Sequence, residues 1–103
     1  TGLIISGTNA EVSPNQWEFQ IGPCEGIESG DQVIMARFFL ERIAEGYNVQ
    51  ISYKPKPIND MNGSGCHINF STKKMRDEGG FKTIERAISN LSKEHDLHIK
   101  HYM

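Results

Sequence analysis

Glu11, Glu18 and His67 are the residues whose types and settings best suit a hard cation. Each stands beside turn-forming or strand-forming residues rather than on a charged helix face. Carboxylate oxygens suit magnesium or manganese, and manganese also accepts an imidazole. Spacing alone leaves a second reading open, with two solvated carboxylates and a hydrogen-bonded strand histidine, because no compact zinc pattern is present. Two glycine-bearing turns could bring backbone close to a ligand. Gly22-Pro23-Cys24-Glu25-Gly26 joins conformational freedom to a fixed turn, yet it matches neither the Walker pattern nor GxGxxG, so an ordinary turn is the alternative. Asn62-Gly63-Ser64-Gly65 is by default a tight turn and otherwise a substrate cradle. Asn69 and Ser71 share alternating positions with His67, a polar row that either bonds a ligand or faces solvent. His95, His98 and His101 recur every three residues, which fits a helix end whose dipole favours cationic imidazole better than it fits a metal site.

The elements that must position these groups follow from periodicity. Leu3 to Ser6 is a short β-favouring run, and Gln16 to Ile21 alternates as a strand, with Trp17, Phe19 and Ile21 on one face and Gln16, Glu18 and Gln20 on the other. Ser29 followed by Gln32 signals a capping box, and Val33, Ile34, Phe38, Ile43 and Ala44 recur at helical spacing, predicting a helix from about Gly30 to Glu45. Val49 to Tyr53 and Cys66 to Ser71 read as strands, separated by a loop in which Pro55 and Pro57 forbid regular structure. Phe81, Ile84, Ile88 and Leu91 predict a second amphipathic helix from Gly80 onward. The β, β, α, β, β, α order indicates an α+β fold, mainly antiparallel sheet with two amphipathic helices.

Composition bounds the partners. The chain has 103 residues, 37% of them hydrophobic, the size of one domain with one modest core. Its 11 basic and 13 acidic residues are interspersed, which offers no basic face to nucleic acid or anionic lipid. No apolar run approaches bilayer length, so a soluble protein is expected, with no membrane partner. Cys24 and Cys66 form no disulfide framework, and a reducing cytoplasm is the simplest setting. The glycosylation-type triplets at Asn62, Asn69 and Asn90 carry no weight without a sign of secretion.

Two runs decide more than spacing does. NAEVSPNQWEFQIGPCEG, Asn9 to Gly26, and NGSGCHINFST, Asn62 to Thr72, strongly resemble signatures of eukaryotic-type glutamine synthetases. The resemblance continues through ARFFLER, through KPKPI at Lys54 to Ile58, and as far as His98, covering almost the whole chain. It implies that residues 1–103 are part of the family's catalytic domain, which makes glutamine from glutamate, ammonia and ATP with two divalent cations, Mg2+ or Mn2+. By resemblance, Glu11 and Glu18 match carboxylates holding one cation and His67 matches an imidazole ligand of the other. The stretch Glu18, Phe19, Gln20, Ile21, Gly22 and Pro23, and the triplet Asn69, Phe70 and Ser71, match ATP contacts.

Asn62 and Gly63 match the turn that grips glutamate, with Asp60 and Met61 beside it. The sequence departs from the family there: Pro57 to Asn62 is one residue shorter, and Met61 stands where tryptophan is usual. The resemblance assigns no catalytic acid or base within the chain, and it implies a homo-oligomeric ring in the complete enzyme. The chain lacks the family's smaller amino-terminal domain, its first acidic metal-binding segment and its later arginine-rich and acidic segments, so these residues alone are expected not to turn over. Two other readings are a non-catalytic domain of the same fold used for assembly or binding, and a related ligase joining glutamate to another amine.

Overall fold

A computed structural model describes residues 1–102. The chain divides into two compact units, Thr1–Gly65 and a second beginning at Cys66. The first contains strands β1 (Ile5–Ala10) and β2 (Trp17–Ile21) and helix α1 (Glu28–Gly46); the second contains helices α2 (Lys73–Arg76), α3 (Phe81–Lys93) and α4 (His95–Ile99). The fold is α+β with one two-stranded antiparallel sheet.

The strands pair as a hairpin, with Ala10 opposite Trp17, Asn9 opposite Glu18, Thr8 opposite Phe19 and Gly7 opposite Gln20. An irregularity between Ile5 and Gly7 leaves Ser6 as the extra residue before Ile5 meets Ile21. The first strand thus lies further along the chain than its β-branched residues suggested. Pairing with β2 recruits Gly7, Asn9 and Ala10 in spite of their weak strand propensity, along with β-branched Thr8, because a strand exists where its partner's backbone groups are available.

Helix α1 begins before the expected capping residue. Ile27 occupies the N-cap without a side-chain cap, and Ser29 lies inside the first turn, its hydroxyl donating to the Gly26 carbonyl at 3.4 Å. Glu28 substitutes at that end by accepting the Glu25 N–H at 3.4 Å, and Glu28 and Asp31 set negative charge against the helix amino terminus. At the other end Val49 N–H bonds the Ala44 carbonyl at 3.1 Å, with Asn48 in the left-handed region at φ 54°, which ends the helix.

The apolar core of this unit is small. Ala36, 3% exposed, and Ala44, 9% exposed, lie on the helix face that also carries Gln32, 8% exposed. Among the described residues Gln32 is the buried polar side chain, and both its amide oxygen and its amide nitrogen are bonded. Its Oε1 accepts the Ile4 N–H at 2.7 Å and its Nε2 donates to Glu28 at 3.0 Å, while the Ile4 carbonyl accepts from Gly22 N–H at 2.9 Å. The hairpin's entry and exit are thereby fastened to one helix turn.

Val49–Tyr53 and Cys66–Ser71, expected as strands, form no strand and have no ladder partner among the described residues. Alternating side chains provide the strand period but cannot supply the neighbouring ladder. The first segment is held to α1 instead: Tyr53 Oη donates to the Arg37 carbonyl at 3.1 Å, and the Arg37 guanidinium stacks 4.7 Å from the Tyr53 ring centre. Burial, then the Glu41 charge, push the Tyr53 hydroxyl above its ordinary value, against the opposing pull of Arg37.

In the second unit, Thr72 caps α2 by accepting the Met75 N–H at 3.4 Å, and α2 packs on α3. This short helix was not anticipated, since four residues are too few for a hydrophobic period. The expected second helix is divided at Glu94, whose backbone leaves helical geometry at φ −117° and ψ 22°. His95 therefore starts α4 at its amino end, while His98 lies in its last turn and His101 follows it, so only the latter two sit at the end where the dipole favours a cation.

Gly22 occupies the left-handed region at φ 112°, and a Cβ there would stand 3.2 Å from the Cys24 amide nitrogen, so the turn after β2 requires glycine. Beyond it, half-buried Cys24 has its thiol pushed above the ordinary value, first by desolvation and then by the Glu28 charge.

Two outcomes follow from these contacts. Replacing Gln32→Leu leaves the Ile4 N–H without its acceptor and should cost about 1–3 kcal/mol, seen as faster amide exchange at Ile4 and a lower denaturation midpoint. Because a raised pKa keeps Cys24 as thiol at neutral pH, its iodoacetamide alkylation should gain speed only at alkaline pH. Glu28→Gln removes the repelling charge, so the midpoint of that pH–rate curve should move down, and an unmoved midpoint would remove Glu28 as a cause.

Candidate functional site

The polar face of the hairpin is the centre of the candidate site. The ladder extends one step past β1, where Glu11 N–H bonds the Gln16 carbonyl at 2.9 Å, setting Glu11 opposite Gln16. With Asn9 opposite Glu18, the alternation puts Asn9, Glu11, Gln16 and Glu18 on one face. Glu11 and Glu18, seven residues apart in sequence, are diagonal neighbours there, a relation of about 7–8 Å between backbones that two carboxylate side chains can span. Both are exposed, and neither is drawn into an ion pair among the described residues. Two unpaired hard oxygen donors on one rigid face are a donor set that fits Mg2+ or Mn2+.

Phe19 and Ile21 project from the opposite face of β2 and are half-buried; Gln20 shares the Glu18 face, and Gly22 and Pro23 form the turn that follows. The candidate nucleotide stretch thus has its polar members on the carboxylate side and its apolar members serving the hairpin's packing.

A second candidate segment reaches the same hairpin. Ser64 N–H bonds the Pro55 carbonyl at 2.5 Å, which folds the loop back on itself at Gly63. A Cβ on Gly63 would stand 3.3 Å from that carbonyl, so the loop closes tightly on itself at this glycine. Gln16 Nε2 donates to Ser64 Oγ at 2.8 Å and to the Gly63 carbonyl at 3.4 Å. Asn62 and Asp60 are exposed beside this turn, and Met61 is half-buried with its N–H on the Ile58 carbonyl at 3.2 Å.

His67, Asn69, Phe70 and Ser71 belong to the second unit, on the segment ahead of α2, and all four are exposed. Ser71 is held by Arg76, whose Nη1 donates to the Ser71 hydroxyl at 2.7 Å and to its carbonyl at 3.1 Å. Ile68 and Phe70 line a groove with Ala87 and Leu91 of α3. Among the described residues no three His, Cys, Asp or Glu side chains converge as a metal cluster.

Sequence reasoning gave no such role to Gln16 or Arg76 and took Gln32 for a capping-box partner. The first was visible as a member of the polar strand face, and its bond to a loop 48 positions away was not, because side-chain partners across such a separation leave no local pattern. Arg76 follows Ser71 by five residues, outside helical pair spacing, so only the turn into α2 brings them together.

Comparison with known proteins bears on the family of the chain. The family model for the glutamine synthetase catalytic domain matches residues 1–99. Glutamine synthetase of Candida glabrata is 63% identical over 102 residues, covering 98% of this chain and 27% of that protein. Those of Saccharomyces cerevisiae and Gallus gallus are 62% and 60% identical, again over 98% of this chain and 28% and 27% of their own lengths. The chain thus spans a little over a quarter of the length of these relatives, and the match carries both signature runs, Asn9 to Gly26 and Asn62 to Thr72. This chain belongs to the glutamine synthetase catalytic-domain family.

Proposed function

We propose that this chain serves an ATP-dependent glutamate–ammonia ligase, contributing Glu11 and Glu18 as ligands of one divalent cation and His67 as a ligand of another. The observation that carries the reading is the hairpin register, which puts Glu11 and Glu18 on one face within a chain of this family. The chemistry required is transfer of the ATP γ-phosphoryl group to the glutamate side-chain carboxylate, followed by displacement of phosphate by ammonia. Divalent cations, when bound, would neutralise the negative charge of the transferring group.

The chain's own residues bind and orient. Glu18 to Pro23 and Asn69 to Ser71 would line the nucleotide, with Arg76 holding the Ser71 hydroxyl in a single orientation. Asn62 and Gly63 would receive glutamate, with Asp60 and Met61 at the turn's approach, and the carboxylate face of the hairpin stands beside that turn through Gln16. Phosphoryl transfer depends chiefly on positioning and charge stabilisation. Residues 1–103 hold few of the cationic groups such a site uses, so turnover would rest on segments elsewhere in the complete protein and on a ring of subunits. A reducing cytoplasm suits the two free thiols, Cys24 and Cys66.

The test is a manganese titration, with and without ATP, of the protein expressed from its full open reading frame. Glu18→Gln and His67→Ala should each weaken manganese binding at least about tenfold, since loss of even an outer-shell partner costs about 10–100-fold. ATP-dependent glutamine formation should fall with it. Full activity and unchanged manganese affinity in both variants would sink the ligand assignment, and a wild-type protein that binds ATP and manganese without forming glutamine would favour a non-catalytic role. The 103-residue piece itself should form no glutamine in the same assay.

A further inference from the structure

Gln16 is placed to do two jobs with one residue. Its backbone carbonyl accepts from Glu11 N–H at 2.9 Å, which sets the position of the first carboxylate. Its side chain reads in both directions. Oε1 accepts the Ser13 N–H at 3.1 Å, tying the amide to the hairpin turn. Nε2 spends its donors on Ser64 Oγ at 2.8 Å and the Gly63 carbonyl at 3.4 Å. A primary amide has two N–H donors, and here both go to one turn.

The turn has little else to hold it. Ser64 N–H on the Pro55 carbonyl closes the loop within itself, and the Gln16 amide supplies the side-chain hydrogen bonds by which the turn meets the hairpin. An unanchored exposed loop of glycine and small polar residues samples many conformations, and fixing its backbone before a ligand arrives removes that entropy from the binding step.

We infer that Gln16 is a positioning residue that seats the Asn62–Gly63 turn against the face carrying Glu11 and Glu18, so that glutamate is received at a fixed place relative to the carboxylates. The inference rests on the proposed ligase function for its ligand, whereas the seating itself is a property of the fold. Gln16 touches no reacting atom in this scheme. Its loss raises the demand for glutamate without changing the use of ATP.

The experiment uses the full-length protein with the variants Gln16→Met, Ser64→Ala, both together, and Ser64→Thr, which keeps the hydroxyl. Gln16→Met should raise the KM for glutamate about fivefold, with the KM for ATP within about twofold of wild type, as expected when two of the three neutral hydrogen bonds lost go to the glutamate turn and the third only to the Ser13 amide. Ser64→Ala should raise it by a smaller factor and add little in the Gln16→Met background, because both remove the same bond. Ser64→Thr should restore the wild-type value. Amide exchange at Gly63 and Ser64 should quicken in Gln16→Met. An unchanged glutamate KM, equal rises for glutamate and ATP, or effects of the two substitutions that multiply independently would overturn the inference. Should the wild-type protein form no glutamine, the ligase reading fails, and exchange at Ser64 alone decides the seating: faster in Gln16→Met upholds it, unchanged refutes it.

Discussion

Everything in the first unit depends on the register of one hairpin. A strand's side chains alternate with a period of two, so a slip of one residue in the pairing of β1 with β2 would send Glu18 to the face now held by Trp17 and Phe19. Asn9 opposite Glu18, and Glu11 opposite Gln16 one step further, put two carboxylates on one surface. The register is protected at its open end by Gln32, which holds the Ile4 N–H while Gly22 holds the Ile4 carbonyl. A helix side chain therefore guards the geometry of a site it does not touch.

The same economy governs the turn at Gly63. Hydrophobic packing contributes little to the fold, since Ala36 and Ala44 are its buried apolar side chains among the described residues. Trp17 is 69% exposed, and Ile68, Phe70 and Phe81 are exposed as well, so broad apolar surfaces have no cover within the described chain. Where packing is thin, directional bonds decide placement. Gln16, Gln32, Tyr53 and Arg76 each tie an irregular segment to a regular one. Of these, the Gln32 bond is the partly buried one, so its removal leaves the Ile4 N–H short of an acceptor at a cost greater than the bond contributes when made.

Much of the architecture was legible in advance. The alternation of Trp17, Phe19 and Ile21 located β2, and the spacing of Val33, Phe38 and Ala44 located α1, because both periods are properties of the residues themselves. The second amphipathic helix was legible for the same reason, although its break at Glu94 was not. The segments Val49–Tyr53 and Cys66–Ser71 carried the strand period and remained unpaired, since a ladder requires a neighbour that periodicity cannot supply. The capping box at Ser29 failed because the helix begins earlier, at Glu28, and the Gln32 amide is taken by Ile4 and Glu28.

By itself the sequence determined which chemistry is available: hard oxygen donors at Glu11 and Glu18, an imidazole at His67, glycine turns at Gly22 and Gly63, and two signature runs long enough to mark the family. Composition and local period suffice for those because each is written in neighbouring residues. Tertiary structure decided which of these groups meet. It set Glu11 and Glu18 on one face by cross-strand register and joined the hairpin to the Gly63 turn through Gln16, 48 residues from Ser64. Contacts of that separation depend on closing a loop and satisfying backbone groups along it, and no local pattern of residue types records the outcome.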